Sequence, residues 1–452
     1  MRVIRTDEAD ARETLRAMQA KLSVSAGAET PASRAKTVEV FGEAFSPIES
    51  VRRIVADVRR EGDAAVFRYT RALDGVDLDA TTVRVPTQEI TRARSAVSED
   101  FLRAASAAIA NVRAFQEHIL VRAPQDLASG GRRLGVRYVP MRRAGVHIPG
   151  FSATLPSSVI MTCVPAQVAG IEEIAVCTPP GATGAVCAEI LACCALLEID
   201  EVYRIGGAQA VAAMAFGTDS VPKTDIVVGP GNIFTTLAKK EVFGDAAIDI
   251  LAGPSEVLVL ADDTARAEVV AADVLSQAEH APAAVFLVTP SAALAETVVA
   301  EIDRQLATLS RREATAKVLD EYALAVVTRT MDEAIAVTND LAPEHLQITT
   351  SDDAAVLTEI RNAGTVFVGA WTPIAAGDYY AGPSHTLPTG GAAKFQSGLS
   401  ANAFLRQMSV VAYDETSLAA DAEDITTLAE AEGLTAHAKS VRVRFDKSGQ
   451  DT

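Results

Sequence analysis

The stretch "EVLVLADDTARAEVVAADVLSQAEHAPAAVFLVTP", residues 256–290, decides the fold class. "EVLVLAD" and "AAVFLVTP" are short apolar runs without polar alternation, the pattern of strands covered on both faces. Between them "ARAEVVAADVLSQAEH" repeats apolar residues at helical spacing, and Pro282 closes it. Two buried strands joined by a helix of ten or more residues form the crossover unit of a parallel sheet.

The same alternation continues in both directions. Upstream lie "EIAVCTP" (173–179), the helix "AVCAEILACCALLE", "EVYRIGG", "AQAVAAMAFG", "DIVVGPGN" and "FTTLAKKEVFG". Downstream come a long helix from about 291, "LAVVTRT", the helix "MDEAIAVTND" and "TVFVG". Two such series predict an α/β protein with two doubly wound, incomplete Rossmann-like domains built on parallel sheets. Residues 1–125 read as mostly helical, with "TTVRVP" a short strand between helices. The last seventy residues are glycine-rich, then helical, and too few to form a core alone. No G-x-G-x-x-G follows any strand, so the residues themselves are silent on a dinucleotide.

Acidic residues outnumber basic ones 59 to 41, for a formal net charge of −18. That balance repels phosphate backbones, and the basic pairs Arg132–Arg133 and Arg142–Arg143 extend into no longer run, so nucleic acid is not an expected partner. The longest apolar run, "ILACCALL" at 190–197, is far below the roughly 18 residues that span a bilayer. The N-terminus lacks the apolar core of a signal peptide. Five cysteines within apolar segments, with no C-x-x-C, read as reduced core thiols. A soluble cytoplasmic protein without a membrane partner is the expectation.

Histidine is the scarce and informative residue, with six in the chain. Four lie in "SQAEHAP", "LAPEHLQI", "GDYYAGPSHTLPTGG" and "AEGLTAHAK", beside other reactive residue types. Gln277 and His280 share one helix face through their spacing of three. With Asp378 and His437 they offer nitrogen and oxygen donors that suit zinc or a similar ion, although glutamine is an uncommon ligand and a capped, solvated pair is the simpler reading of Gln277 and His280 alone. The pair Glu344–His345 precedes a predicted strand, where neutral imidazole suits proton abstraction from an alcohol. "VGPGN" (228–232) and "AGPSEV" (252–257) are either tight turns or places where a ligand meets backbone N–H groups.

Taken together, "PSSVIMTCVPAQVAG", "GGAQAVAAMAFGT", "GPGNIF", "LAGPSEVLVLAD", "SQAEH", "APEHLQI", "GAWTPIAAGDYYAGPSHTLPT", "GLSANAFLR" and "EGLTAH" closely resemble the histidinol dehydrogenase family, from about residue 30 to about 445. The resemblance implies a zinc-dependent homodimer that oxidises L-histidinol to L-histidine through the aldehyde, reducing two NAD. It implies zinc ligands Gln277, His280, Asp378 and, from the partner subunit, His437. His345 would take the alcohol proton and Glu344 would activate water at the aldehyde stage. The same zinc ligands and His345 would touch substrate, with Glu432, also from the partner, on the imidazole and Ser255 and His385 lining the pocket. Gln209 and Asn232 match NAD-contacting positions.

One loop departs from the family: His147 stands where a cofactor-contacting tyrosine is usual, and Phe151 where a glycine is. The resemblance also suggests an organisation. A helical segment spans 1–29, and an α/β domain of 30–130 with 245–380 carries most of the zinc and catalytic residues. A second α/β domain, 131–244, carries the NAD loops, and 381–452 reaches the partner subunit. The alternatives are a family paralogue oxidising another small polar alcohol, or a zinc hydrolase working through Glu344 or His345. Glu432 speaks against a sulfonated substrate, which a carboxylate repels.

Overall fold

The crossover unit forms as its pattern dictates. In the computed structural model, which describes residues 1–22, 31–150, 154–280 and 283–446, the strands Ser255–Ala261 and Ala283–Thr289 pair in parallel and flank the helix Ala267–Ala278. Phe151 and Pro282 fall outside the described residues. Val257 to Leu260 are 0% exposed, because helices cover both faces of this sheet.

The sheet has six strands, all parallel, in the order Arg2–Arg5, Ala323–Val327, Ala283–Thr289, Ser255–Ala261, His345–Thr349, Thr365–Val368. A second parallel sheet runs Val202–Tyr203, Glu173–Cys177, Arg143–His147, Ile226–Val228, Ala247–Ile248. Its core takes in the helices Pro47–Glu61, Asp63–Asp74, Gly207–Phe216 and Ile233–Val242. Ser46 starts the first of these with a reciprocal capping box to Glu49. The strand order switches sides between Ser255–Ala261 and His345–Thr349 in one sheet, and between Arg143–His147 and Ile226–Val228 in the other.

Both parallel sheets belong to one compact unit, residues 1–120 with 141–404, and a second unit combines 121–140 with 405–452. The second unit holds an antiparallel sheet of Leu405–Tyr413, Arg132–Pro140 and Leu127–Ser129, followed by the helices Glu415–Ala431 and Thr435–Arg442. Its strands went unread in the sequence, where the C-terminal stretch looks only glycine-rich and helical.

Three expectations change in detail. "TTVRVP" forms no strand: Arg84 makes one antiparallel bridge to Tyr203, and Pro86, which has no N–H, ends the pairing. The long helix from about 291 is two helices, Ala292–Leu306 and Arg312–Tyr322. The helical N-terminal region opens with the strand Arg2–Arg5, laid along Ala323–Val327. Among the described residues, no helix is long and apolar enough to cross a membrane.

Candidate active site

The amino ends of the six-stranded sheet face the carboxyl-end loops of the five-stranded one across a cavity of about 160 Å³. Ser255 and His345, first residues of their strands, line one side, and Pro230 and Gly231, just past Val228, line the other. Ligands in doubly wound sheets commonly sit at strand carboxyl ends. Here the five-stranded sheet follows that rule, and the six-stranded sheet contributes from the opposite end.

Glu344 and His345 enter this cavity through a forced turn. The helix Met331–Leu341 stops at Ala342, whose φ of 50° is left-handed, and Pro343 prevents its continuation. Glu344 and His345 are 4% and 3% exposed. Glu344 Oε2 accepts the main-chain N–H of Glu256 at 2.7 Å. His345 donates from Nδ1 to the Glu256 carbonyl at 2.9 Å, which leaves Nε2 pointing at Asp378 Oδ1, 3.1 Å away. Burial pushes the imidazole pKa down, but the Glu344 charge and the Asp378 hydrogen bond outweigh it, so the ring titrates well above its ordinary value. The sequence suggests a neutral imidazole near pH 7; the Asp378 carboxylate facing Nε2 favours the charged ring in this arrangement.

Asp378 sits in a π-helical turn, Gly377–Ala381, an irregularity that often marks functional positions. Burial raises its pKa, and the His345 hydrogen bond and charge more than reverse this, so the carboxylate stays ionised. Gln277 occupies the last turn of Ala267–Ala278 at 2% exposure, and His280 follows just beyond the helix, where its N–H bonds the Gln277 carbonyl. Gln277, His280 and Asp378 all line the cavity. Among the described residues, no three His, Cys, Asp or Glu side chains gather to hold a metal. The expected set supplies only His280 and Asp378 of those types from one chain. The donor chemistry nonetheless fits a divalent ion: the amide Nε2 of Gln277 is buried without a partner. An unpaired buried amide is costly unless something else satisfies it, and the oxygen and nitrogen ends of that amide are interchangeable by a flip.

Of the expected cofactor residues, His147 ends a strand of the five-stranded sheet, and Gln209 and Asn232 lie at the starts of helices packed on it. A second cavity, about 280 Å³, is lined by Gln209, Asn232 and Asp74 together with the apolar Phe41, Leu73 and Phe234. Gln209 is 1% exposed, its Nε2 reaches Asp74 Oδ2 at 3.3 Å, and its Oε1 has no partner. Burial raises the Asp74 pKa to about 6. Asn232 caps the helix Ile233–Val242 through Oδ1, which accepts N–H bonds from Phe234 and Thr235. His147 does not line either cavity: its Nδ1 is 2.9 Å from the Pro230 carbonyl and its Nε2 accepts the Gly207 N–H at 3.1 Å.

Comparison with known proteins bears on what this arrangement is. The family model for histidinol dehydrogenase matches residues 43–445. The chain belongs to the histidinol dehydrogenase family. A histidinol dehydrogenase of Rhodopirellula baltica is 47% identical over 97% of this chain and 95% of its own length. One from Geobacillus kaustophilus is 44% identical over 88% and 94%. The crystal structure of histidinol dehydrogenase from Elizabethkingia anophelis superposes with a TM-score of 0.88 at 32% identity, covering 100% of this chain and 99% of that one. As a histidinol dehydrogenase family member the chain is an enzyme, an NAD-dependent oxidoreductase.

Of the residues that the family resemblance selects, Ser255, Gln277, His280, Glu344, His345, Asp378 and His385 meet around one cavity. His385 donates from Nδ1 to the Asp378 carbonyl at 3.0 Å and receives the Ser158 hydroxyl on Nε2 at 2.9 Å. Glu432 and His437 belong to the second unit, at the end of Glu415–Ala431 and within Thr435–Arg442, and both are exposed there. Sequence reading missed Ser158, whose hydroxyl meets His385 Nε2 while the Asp378 carbonyl fixes the tautomer, and Glu256, whose backbone holds both Glu344 and His345. Nothing local marks Ser158 among the other small polar residues of its apolar helix. Glu256 stood inside a quoted motif, but its main-chain role has no sequence signature.

Proposed function

We propose that this enzyme oxidises L-histidinol to L-histidine through the aldehyde, reducing two NAD, at a zinc site shared between the subunits of a homodimer in the cytoplasm. The observation that carries the reading is the convergence of a buried Glu–His pair with Asp378, Gln277 and His280 on one cavity. Gln277, His280 and Asp378 would hold the ion, with the partner's His437 as fourth ligand. The ion would supply fixed positive charge for the substrate nitrogens, and NAD would take up hydride.

His345 does the proton chemistry at Nε2. The neutral ring, with Nε2 turned into the cavity, accepts the carbinol proton. The Nδ1–H bond to the Glu256 carbonyl fixes the tautomer that leaves Nε2 free. Glu344, anchored through one oxygen by the Glu256 N–H, takes a proton from water as that water adds to the aldehyde. Ser255 and His385 shape the pocket, and Glu432 of the partner accepts the substrate imidazole N–H. Gln209 and Asn232 bind NAD, with His147 behind their loops. Free cysteines, four of them buried, suit a reducing compartment.

The test is the stoichiometry of NADH per histidinol before and after chelation. Two NADH per histidinol, lost on chelation and restored by zinc, is expected. No NADH from histidinol but turnover of another small alcohol would transfer the site to a different substrate. Ester or amide cleavage without NAD binding would make it a hydrolase.

A further inference from the structure

The two turns that lead into the helices of Gln209 and Asn232 are rich in glycine. Gly207 has φ of 62° and Gly229 of 115°, left-handed values that side chains avoid. A Cβ on Gly229 would run into the His147 carbonyl oxygen, and one on Gly231 would come within 2.5 Å of Thr235 Cβ. Loops free to take such conformations are free to take others, so something must select one.

His147 ends the strand Arg143–His147, beside Ile226–Val228, where the strand order of the five-stranded sheet switches sides. Its ring spans the crevice above that point. Nδ1 meets the Pro230 carbonyl, two residues before Asn232, and Nε2 meets the Gly207 N–H, two residues before Gln209. We infer that His147 is a positioning residue for the cofactor: its imidazole ties the start of the Gln209 helix to the loop that leads into Asn232 and sets their separation without touching the cofactor itself. This rests on the proposal that Gln209 and Asn232 bind NAD.

The partners dictate the ring's state. A carbonyl only accepts and a main-chain N–H only donates, so Nδ1 carries the hydrogen and Nε2 is bare. A second proton would set N–H against N–H. The surroundings enforce neutrality: the ring is 3% exposed, and burial, then the Lys239 charge, outweigh the Pro230 bond and push its pKa down to about 4. Both ring nitrogens are thus engaged by main chain, leaving no polar edge for a ligand. A tyrosine at this position has a single hydroxyl and cannot serve both loops from the same place. The departure from the family pattern therefore exchanges a side chain that reaches the cofactor for one that braces what does.

The test pairs affinity with spectroscopy in the full-length enzyme. His147→Phe keeps a ring but leaves the Gly207 N–H and Pro230 carbonyl unpaired, and NAD should bind about tenfold or more weakly. The KM for histidinol should change by a smaller factor than the NAD affinity, because His147 meets that cavity's lining only through the Pro230 carbonyl. His147→Asn, which can keep the bond to Pro230, should fall between. In the wild type, ¹⁵N spectra of histidine-labelled protein should show one neutral ring as the Nδ1–H tautomer, absent from the variants. An Nε2–H or cationic ring overturns the inference, as does unchanged NAD affinity in His147→Phe, or equal losses for NAD and histidinol. Should His147→Phe fail to fold, the asparagine variant and the tautomer decide. A wild type that binds no NAD at all sinks the cofactor reading itself.

Discussion

Lys239 Nζ lies 2.5 Å from Asp249 Oδ1, with the two side chains only 2% and 0% exposed. The same ammonium donates to the Gly229 carbonyl at 3.0 Å, and Asp249 Oδ2 accepts the Gly229 N–H at 2.7 Å. One ion pair thereby holds both main-chain groups of the residue that opens the Asn232 loop.

Removing one partner leaves a buried charge without compensation. Asp249→Ala should cost about 3–5 kcal/mol, read from the urea midpoint, whereas replacing both partners with apolar residues should cost less. A loss from Asp249→Ala no larger than the ~1 kcal/mol of a surface pair would show that the pair is solvated in solution.

Glu256 gives a pH dependence with a defined sign. Burial first, and the Glu344 charge behind it, raise its pKa from 4.5 to about 8, against the opposing Gly390 N–H bond. The folded state keeps a proton that the unfolded state gives up. The stabilising contribution is fully present below about 4.5 and is lost as pH rises through about 8. Relative to wild type, the melting temperature of Glu256→Gln should rise more at about pH 9 than at about pH 5. Equal differences at both would refute the assignment.

The roles proposed for His345 and Glu344 separate kinetically. His345→Asn should lower the first hydride transfer by about 10²–10⁴-fold, with no NADH burst in rapid mixing. Glu344→Gln should retain a burst of one NADH per site and then stall at the aldehyde. Full turnover to histidine in that variant would remove Glu344 from the water step.

Metal retention distinguishes the expected ligands. Zinc measured after gel filtration should be lost more completely from Asp378→Asn than from Gln277→Ala, because the carboxylate carries charge and the amide does not. Retention unchanged in both variants would move the ion elsewhere.

Sharing of sites between subunits has its own assay. Co-refolding a His345→Asn chain with a His437→Ala chain should recover up to about a quarter of wild-type activity, since half the dimers are mixed and each has one intact site. No recovery would confine each site to one chain.

The α/β alternation was legible because parallel strands covered on both faces must be nearly all apolar, as Val257–Leu260 and Ala283–Val288 are. The residues that line the first cavity, Glu344, His345, Gln277, His280 and Asp378, stood out through scarce histidines and their motifs. What escaped were relations carried by main chain or by distance. The strand Arg2–Arg5 finds its place beside Ala323–Val327, more than 300 residues away, with one buried side chain, Ile4, to announce it. The strand Leu405–Tyr413 pairs with Arg132–Pro140 and is mostly exposed, so neither shows a hydrophobic face. His147 read as an altered cofactor contact, because sequence shows which side chain changed and not which carbonyl it meets.

The opposed polarity of the two sheets leaves one rim of the molecule free for engineering. Ser255, Glu344 and His345 enter the cavity at strand starts of the six-stranded sheet, and the turn after Ala261 at the far end lines neither cavity. In that turn Asp263 and Thr264 are exposed. A short flexible insert between those two residues should leave turnover intact, offering an attachment point for a tag or a second enzyme on the side away from the reacting groups.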